Sequence, residues 1–328
     1  MRHTILAAGL TVAAGAGFAQ TPVLTVYAYD SFVTEWGPGP AVEAAFEEVC
    51  GCDLRLVGAG DGAALLSRIR LEGARTQADV VLGLDTNLTA AAVETGLFAE
   101  HGLTPEGLTL PVAWDDPIFL PFDWGYFAFV HDTSLETVPG SFEELAASDT
   151  TIVIQDPRSS TPGLGLLMWV QQAYGARAGE IWEALSDNIV TVTPGWSEAY
   201  SLFLDGEADM VLSYTTSPAY HLIAEEDPTK AAAAFSEGHY MQIEVAGLLA
   251  NSDQPELARE FLAFMLTEPF QSVIPTTNWM YPAALPAEAL PEGFETLIAP
   301  ERALIFDPAE AAELRDAALQ TWQAALSR

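Results

Sequence analysis

The chain reads as an α/β protein of two lobes joined by two extended crossings, and three observations predict it. Short apolar runs alternate with helical patterns in the order βαβαβ. That alternation stops at a long extended stretch and begins afresh beyond it, and a second extended stretch then leads into the C-terminal helices. At 328 residues the chain exceeds the size at which one core usually stops growing, and half of its residues are hydrophobic, enough for two cores.

In chain order, the apolar run from Val23 to Tyr29 predicts a strand. Pro38-Gly39-Pro40 then opens a helix with Val42, Ala45, Phe46 and Val49 on one face. Asp53 to Val57 is a second strand, Leu65, Leu66 and Ile69 mark an amphipathic helix, and Ala78 to Leu84 is a third strand. The order predicts a mainly parallel sheet. Phe119 to Val130 is the first extended crossing. The second set has strands at Thr151 to Ile154, Ile189 to Thr193 and Ala208 to Tyr214, and helices at Gly163 to Tyr174, Glu180 to Leu185 and Ser197 to Leu204. Tyr240 to Ala250 is the second crossing, followed by a helix from Gln254 to Leu266. These crossings divide the chain into a discontinuous lobe 1 (20–125 and 245–328) and a lobe 2 (126–244), free to hinge about two strands. A last helix, 309–326, packs on either lobe in this reading.

Residues 1–19 are set aside as a cleavable export signal: Arg2 and His3 precede an apolar run from Ile5 to Val12, and Gly17-Phe18-Ala19 supplies the small residues of a cleavage site. The run is shorter than the roughly 20 residues a bilayer span needs. The exported chain holds two cysteines, Cys50 and Cys52, spaced as Cys-Gly-Cys. In an oxidising compartment a short-loop disulfide is favoured over free structural thiols, and two cysteines without nearby histidines do not complete a zinc site. His221 and His239 read as surface or helix-end residues. The chain contains no His-Glu-x-x-His, Walker loop or Gly-x-Ser-x-Gly, and no catalytic set is expected.

Ligands of open parallel sheets lie beyond the carboxyl ends of the strands. Applied here, that rule selects Tyr29-Asp30-Ser31, Asp61-Gly62, Asp85, the loop from Asp156 to Gly165, Pro194-Gly195-Trp196, and Ser213 to Tyr220. The loop Asp156-Pro157-Arg158-Ser159-Ser160-Thr161-Pro162-Gly163 combines hydroxyls with a helix N-terminus, which suits a phosphate as well as simple capping. Trp196, Tyr214, Tyr220 and Trp279 stand at strand-end loops where aromatic faces suit a flat cation, although most lone aromatics are core residues.

At these loops the sequence resembles the periplasmic thiamine-binding proteins of ABC uptake systems. The resemblance runs through Leu24-Thr25-Val26-Tyr27 to Tyr29-Asp30-Ser31-Phe32, Trp36-Gly37-Pro38-Gly39-Pro40, Ala78 to Asp85 and Phe122-Asp123-Trp124-Gly125-Tyr126. It continues through Gln155 to Gly165, Gly195-Trp196-Ser197-Glu198-Ala199-Tyr200, Leu212 to Tyr220 and Asn278 to Pro282, nearly the whole exported chain. It implies the type II periplasmic binding protein fold, with two α/β lobes, two extended hinge crossings and the ligand cleft between them. It also implies capture of thiamine, thiamine monophosphate and thiamine diphosphate, delivery to a cognate ABC permease and indirectly its ATPase, a periplasmic location, a monomer and no cofactor. By matching motif the ligand contacts fall on Asp61, Gly62, Ser160, Thr161, Trp196, Tyr214, Thr215, Thr216 and Ser217, with Tyr29, Trp36, Tyr220 and Trp279 as additions.

Two other classes share this fold. A thiaminase-like transferase needs a cysteine nucleophile beside a base. The predicted first helix places Cys50 and Cys52 at its back end, away from the cleft. A ferric-ion receptor uses tyrosines, and Tyr214 and Tyr220 are separated with no histidine to complete the set.

The formal net charge of −34, with Lys230 the only lysine, repels nucleic acid and anionic lipid and argues against both as partners. Such a surface is self-repelling, and added salt screens it. The thermal midpoint is therefore expected to rise between low and molar salt; an unchanged midpoint would remove this account of the acidic surface.

Overall fold

The computed structural model describes residues 21–327, so the export signal expected at residues 1–19 lies outside the described residues. Among the described residues no helix is long and apolar enough to cross a membrane.

One half of the sheet is built on the strand Val23–Ala28, flanked in parallel by Asp53–Gly58 and Val80–Asp85. The other is built on Ile152–Gln155, flanked in parallel by Ile189–Thr193 and Met210–Tyr214. Helices Gly39–Cys50, Gly62–Glu72 and Thr161–Tyr174 follow their strands as in open α/β sheets. Between the halves lie two long strands, Phe119–Asp132 and His239–Leu249. They pair with each other from Met241↔Tyr126 to Gly247↔Phe119, and each pairs antiparallel with its own half, on Met210–Tyr214 and Val80–Asp85 respectively.

That centre corrects the expected mainly parallel sheet. The two halves are parallel and the middle is antiparallel, because the chain crosses between the lobes twice in opposite directions. Most other elements stand within two or three residues of their expected bounds. In the helix Gly39–Cys50 the buried stripe is Val42 and Phe46, with Phe46 edge-on to Phe261 at 5.1 Å. Val49, expected on that face, is 64% exposed because the helix is ending there. The last helix, Pro308–Leu326, does not choose one lobe: it packs on Thr86–Val93 of the first and on Thr161–Tyr174 and Ala178–Leu185 of the second.

Cys50 and Cys52 form a disulfide, which resolves the alternatives left open by their spacing. It spans Gly51, whose φ of 62° is left-handed and favours glycine, and it ties the helix end to the strand Asp53–Gly58. A loop this short removes little chain entropy, about 1–2 kcal/mol. Replacing both cysteines by serine should lower the thermal midpoint by a few degrees and leave ligand binding unchanged, checked by calorimetry and titration on the same preparation.

Candidate ligand-binding site

A cavity of about 570 Å³, ordinary for a small-molecule site, opens between the two lobes. It gathers nine of the thirteen residues singled out from sequence: Tyr29, Trp36, Asp61, Thr161, Trp196, Tyr214, Ser217, Tyr220 and Trp279. Gly62, Ser160, Thr215 and Thr216 do not line it. The first two stand just behind the wall. Thr215 and Thr216 are fully buried, with the Thr216 hydroxyl turned to the Met280 sulfur, so that of the hydroxyl-rich run after Met210–Tyr214 only Ser217 reaches the cavity.

Asp61 stands at the N-terminus of Gly62–Glu72 but does not cap it. Its Oδ2 reaches across the cleft instead, accepting from Ser160 Oγ at 2.7 Å and from the Trp196 amide at 3.1 Å. Beside it the Gly62 amide donates to Thr161 Oγ1 at 3.1 Å and the Ala64 amide to the Ser159 carbonyl at 3.1 Å. These bonds hold the lobes closed over the cavity. A Cβ on Gly62 would lie 2.6 Å from Thr161 Oγ1 and 2.9 Å from the Gly83 carbonyl, so this approach requires glycine. Burial raises the Asp61 pKa to about 6, against the lowering effect of the Ser160 and Trp196 hydrogen bonds.

The helix Thr161–Tyr174 begins two residues before its expected start, which brings Thr161 and Pro162 of its first turn to the cavity wall. Trp196, first residue of its own helix, stacks on Tyr200 at 5.0 Å and donates from its indole to Ser213 Oγ at 2.8 Å. Opposite, Tyr220 meets Trp279 edge-on at 5.4 Å. Trp279 has φ 57°, a conformation that non-glycine side chains rarely adopt, and it stands at this wall.

His221 and His239 are both buried, so neither is a surface residue, while His221 does stand in the last turn of the helix Pro218–Ala224. His221 lies behind the wall, with Nε2 2.9 Å from the Tyr200 hydroxyl and Nδ1 2.6 Å from Glu225. Glu225 also accepts from the Tyr220 hydroxyl at 2.9 Å, so one imidazole–carboxylate pair braces two aromatic walls. His239 bonds the Phe127 carbonyl at 2.8 Å and accepts from the Phe235 amide, and burial lowers its pKa.

The floor was not read from the sequence. Glu244, from the second crossing strand, lines the cavity and accepts from the Tyr29 hydroxyl at 3.0 Å. Tyr29 reaches it because Gly83, at φ 103°, leaves room: a Cβ there would fall 2.1 Å from the Tyr29 ring. Asn278, also in the lining, donates to Asp123 at 2.6 Å. Tyr200 was legible as the residue four after Trp196 on one helix face. Glu244 had a weaker signal, an acid inside a mostly apolar extended run. Neither Cys50 nor Cys52 reaches the cavity, and among the described residues no Lys, Arg or His lines it.

Residues 34–272 match the model of the bacterial extracellular solute-binding proteins. The chain is 56% identical, over 94% of each chain, to the thiamine-binding periplasmic protein of Escherichia coli strain K12. A solved structure of a periplasmic thiamin binding protein superposes with a TM-score of 0.92 at 55% identity, covering 94% of this chain and 97% of the other. An iron-bound HitA from Pseudomonas aeruginosa, at 22% identity and a TM-score of 0.73 over 93% and 99%, shares the fold alone. The chain thus belongs to the bacterial extracellular solute-binding proteins and, among them, to the periplasmic thiamine-binding proteins.

Proposed function

We propose that this protein captures thiamine, thiamine monophosphate and thiamine diphosphate in the periplasm and delivers them to an ABC permease, its lobes hinging near residues 125 and 245. The observation that carries the reading is the cavity lining: Trp36, Trp196, Tyr220 and Trp279 around two carboxyl groups, Asp61 and Glu244, with no basic side chain. Thiamine joins a permanently cationic thiazolium to a flat aminopyrimidine. Aromatic faces attract such a cation by about 0.5–2 kcal/mol each, and a buried carboxylate adds to the attraction. The phosphate end lies toward Thr161 and Pro162, where the N-terminus of a fourteen-residue helix supplies a positive field, with the hydroxyls of Tyr214 and Ser217 also in the lining. The close relatives named for thiamine support the same ligand.

Isothermal titration of unfolded, ligand-stripped and refolded protein tests this. One-to-one binding near nanomolar, roughly −11 to −12 kcal/mol, is expected for at least one of the three ligands. No heat and no thermal shift with any of them, from protein shown to be refolded, would remove the ligand assignment. Trp196→Ala should weaken binding about ten- to a hundredfold, or about 1–3 kcal/mol, with folding kept; joint loss of folding and binding would make Trp196 a core residue.

Asp61 also sets a pH dependence. With its pKa raised to about 6, its contribution to the stability of the closed, ligand-free form is present below the ordinary carboxylate range and is lost as pH rises through about 6. The carboxylate formed above that pH is the state that attracts a cation. Thiamine affinity is therefore expected to fall as pH drops through this range, and Asp61→Asn should weaken binding about tenfold and flatten that part of the profile, measured by titration from about pH 5 to 8.

A further inference from the structure

Two acids at the centre of the sheet stand side by side, one lining the cavity and one behind it. Asp123 on one crossing strand and Glu244 on the other are direct partners in the antiparallel ladder. The register shifts immediately after Glu244 in this pairing, and one residue later in the pairing with Val80–Asp85; such bulges re-aim side chains. Asp123 is fully buried and Glu244 is 5% exposed. Both Glu244 oxygens accept hydrogen bonds, from the Tyr29 hydroxyl at 3.0 Å and from Gln242 at 2.7 Å. Asp123 Oδ2 accepts from Asn278, whereas its Oδ1 is buried without a donor. The Glu244 carboxyl stands beside it across the ladder and interacts with it.

Two ionised carboxylates so placed repel strongly at low dielectric. A single proton held between them replaces the repulsion by a hydrogen bond and supplies the missing donor. The other ionisable groups that bear on the pair are Tyr29 from the first strand, Asp85 from the third, and Tyr214 from the strand beside the first crossing; Asp61, on the cleft wall, acts on Tyr214. None of them is a cation. Burial drives both members of the pair upward, and repulsion from Asp123 adds to the rise at Glu244.

We propose that Asp123 and Glu244 share a proton at the hinge and read the charge of the ligand: a cationic ring seated over Glu244 ionises the pair, and the proton leaves to solvent. The inference rests on the thiamine reading and deepens it, by making the crossing strands part of the recognition of positive charge. No covalent bond other than that O–H changes. The pair passes from one negative charge to two, and the ligand's positive charge offsets the second.

Titration calorimetry with thiamine near pH 7.5, repeated in buffers of different ionisation enthalpy, counts the protons exchanged. Wild-type protein should release up to about one proton per ligand. Asp61→Asn should retain the release, because Asp61 is already ionised at that pH. Asp123→Asn should lose it and bind thiamine at least about tenfold more weakly. Glu244→Gln, whose amide can donate to Asp123 Oδ1 as the protonated acid does, should fold and lose the release too, and it decides the matter if Asp123→Asn is unstable. Tight thiamine binding with equal heats in all buffers would overturn the acid pair while leaving the thiamine reading intact. Release that survives in the folded Asp123 and Glu244 variants would do the same. Absence of thiamine binding by the wild type would overturn the reading and the acid pair with it.

Discussion

The antiparallel pairing of Phe119–Asp132 with His239–Leu249 is the constraint on which the other features of the molecule depend. Each strand is hydrogen-bonded to the other and to its own half of the sheet, so two parallel α/β halves become one continuous path. Strands at the centre of a sheet have no free edge, and nearly every residue of these two is buried. The cavity lies over them, and Glu244 of the second strand lines it while being only 5% exposed.

Burial gives the polar groups of the cleft their character. Asp61, Asp123 and Glu244 are carboxyl groups in surroundings that penalise charge, and among the described residues the cavity lining holds no basic partner for them. An uncompensated buried charge is costly, so such a cleft favours either protons or a cationic guest. The aromatic walls favour the guest further, and their geometry is braced from behind by the bonds from Tyr200 and Tyr220 to His221 and Glu225. In the proposed reading closure and recognition use some of the same atoms, since the Asp61 carboxylate that faces the cavity also bonds Ser160 and the Trp196 amide across it.

The C-terminal helix Pro308–Leu326 adds a connection behind the sheet. It packs on helices of both lobes and buries Trp322 there. A motion about the crossing strands must therefore either carry this helix with one lobe or slide it on the other, which makes shear at its surface part of any opening.

Most of the architecture was legible in the sequence because it is written in local patterns. Apolar runs, helix periodicity and the restart of the βαβ alternation located the strands, the two crossings and the loops where Tyr29, Asp61, Thr161, Trp196, Tyr214, Tyr220 and Trp279 stand. What tertiary structure alone decided depends on which strand lies beside which. The antiparallel centre, the burial of His221 and His239, the retreat of Thr215 and Thr216 from the cavity and the meeting of Asp123 with Glu244 join positions far apart in the chain or turn on packing that no local pattern encodes. Periodicity shows that a residue sits in a strand; the register between strands, fixed here by the pairing of two crossings more than a hundred residues apart, determines which side chain it faces.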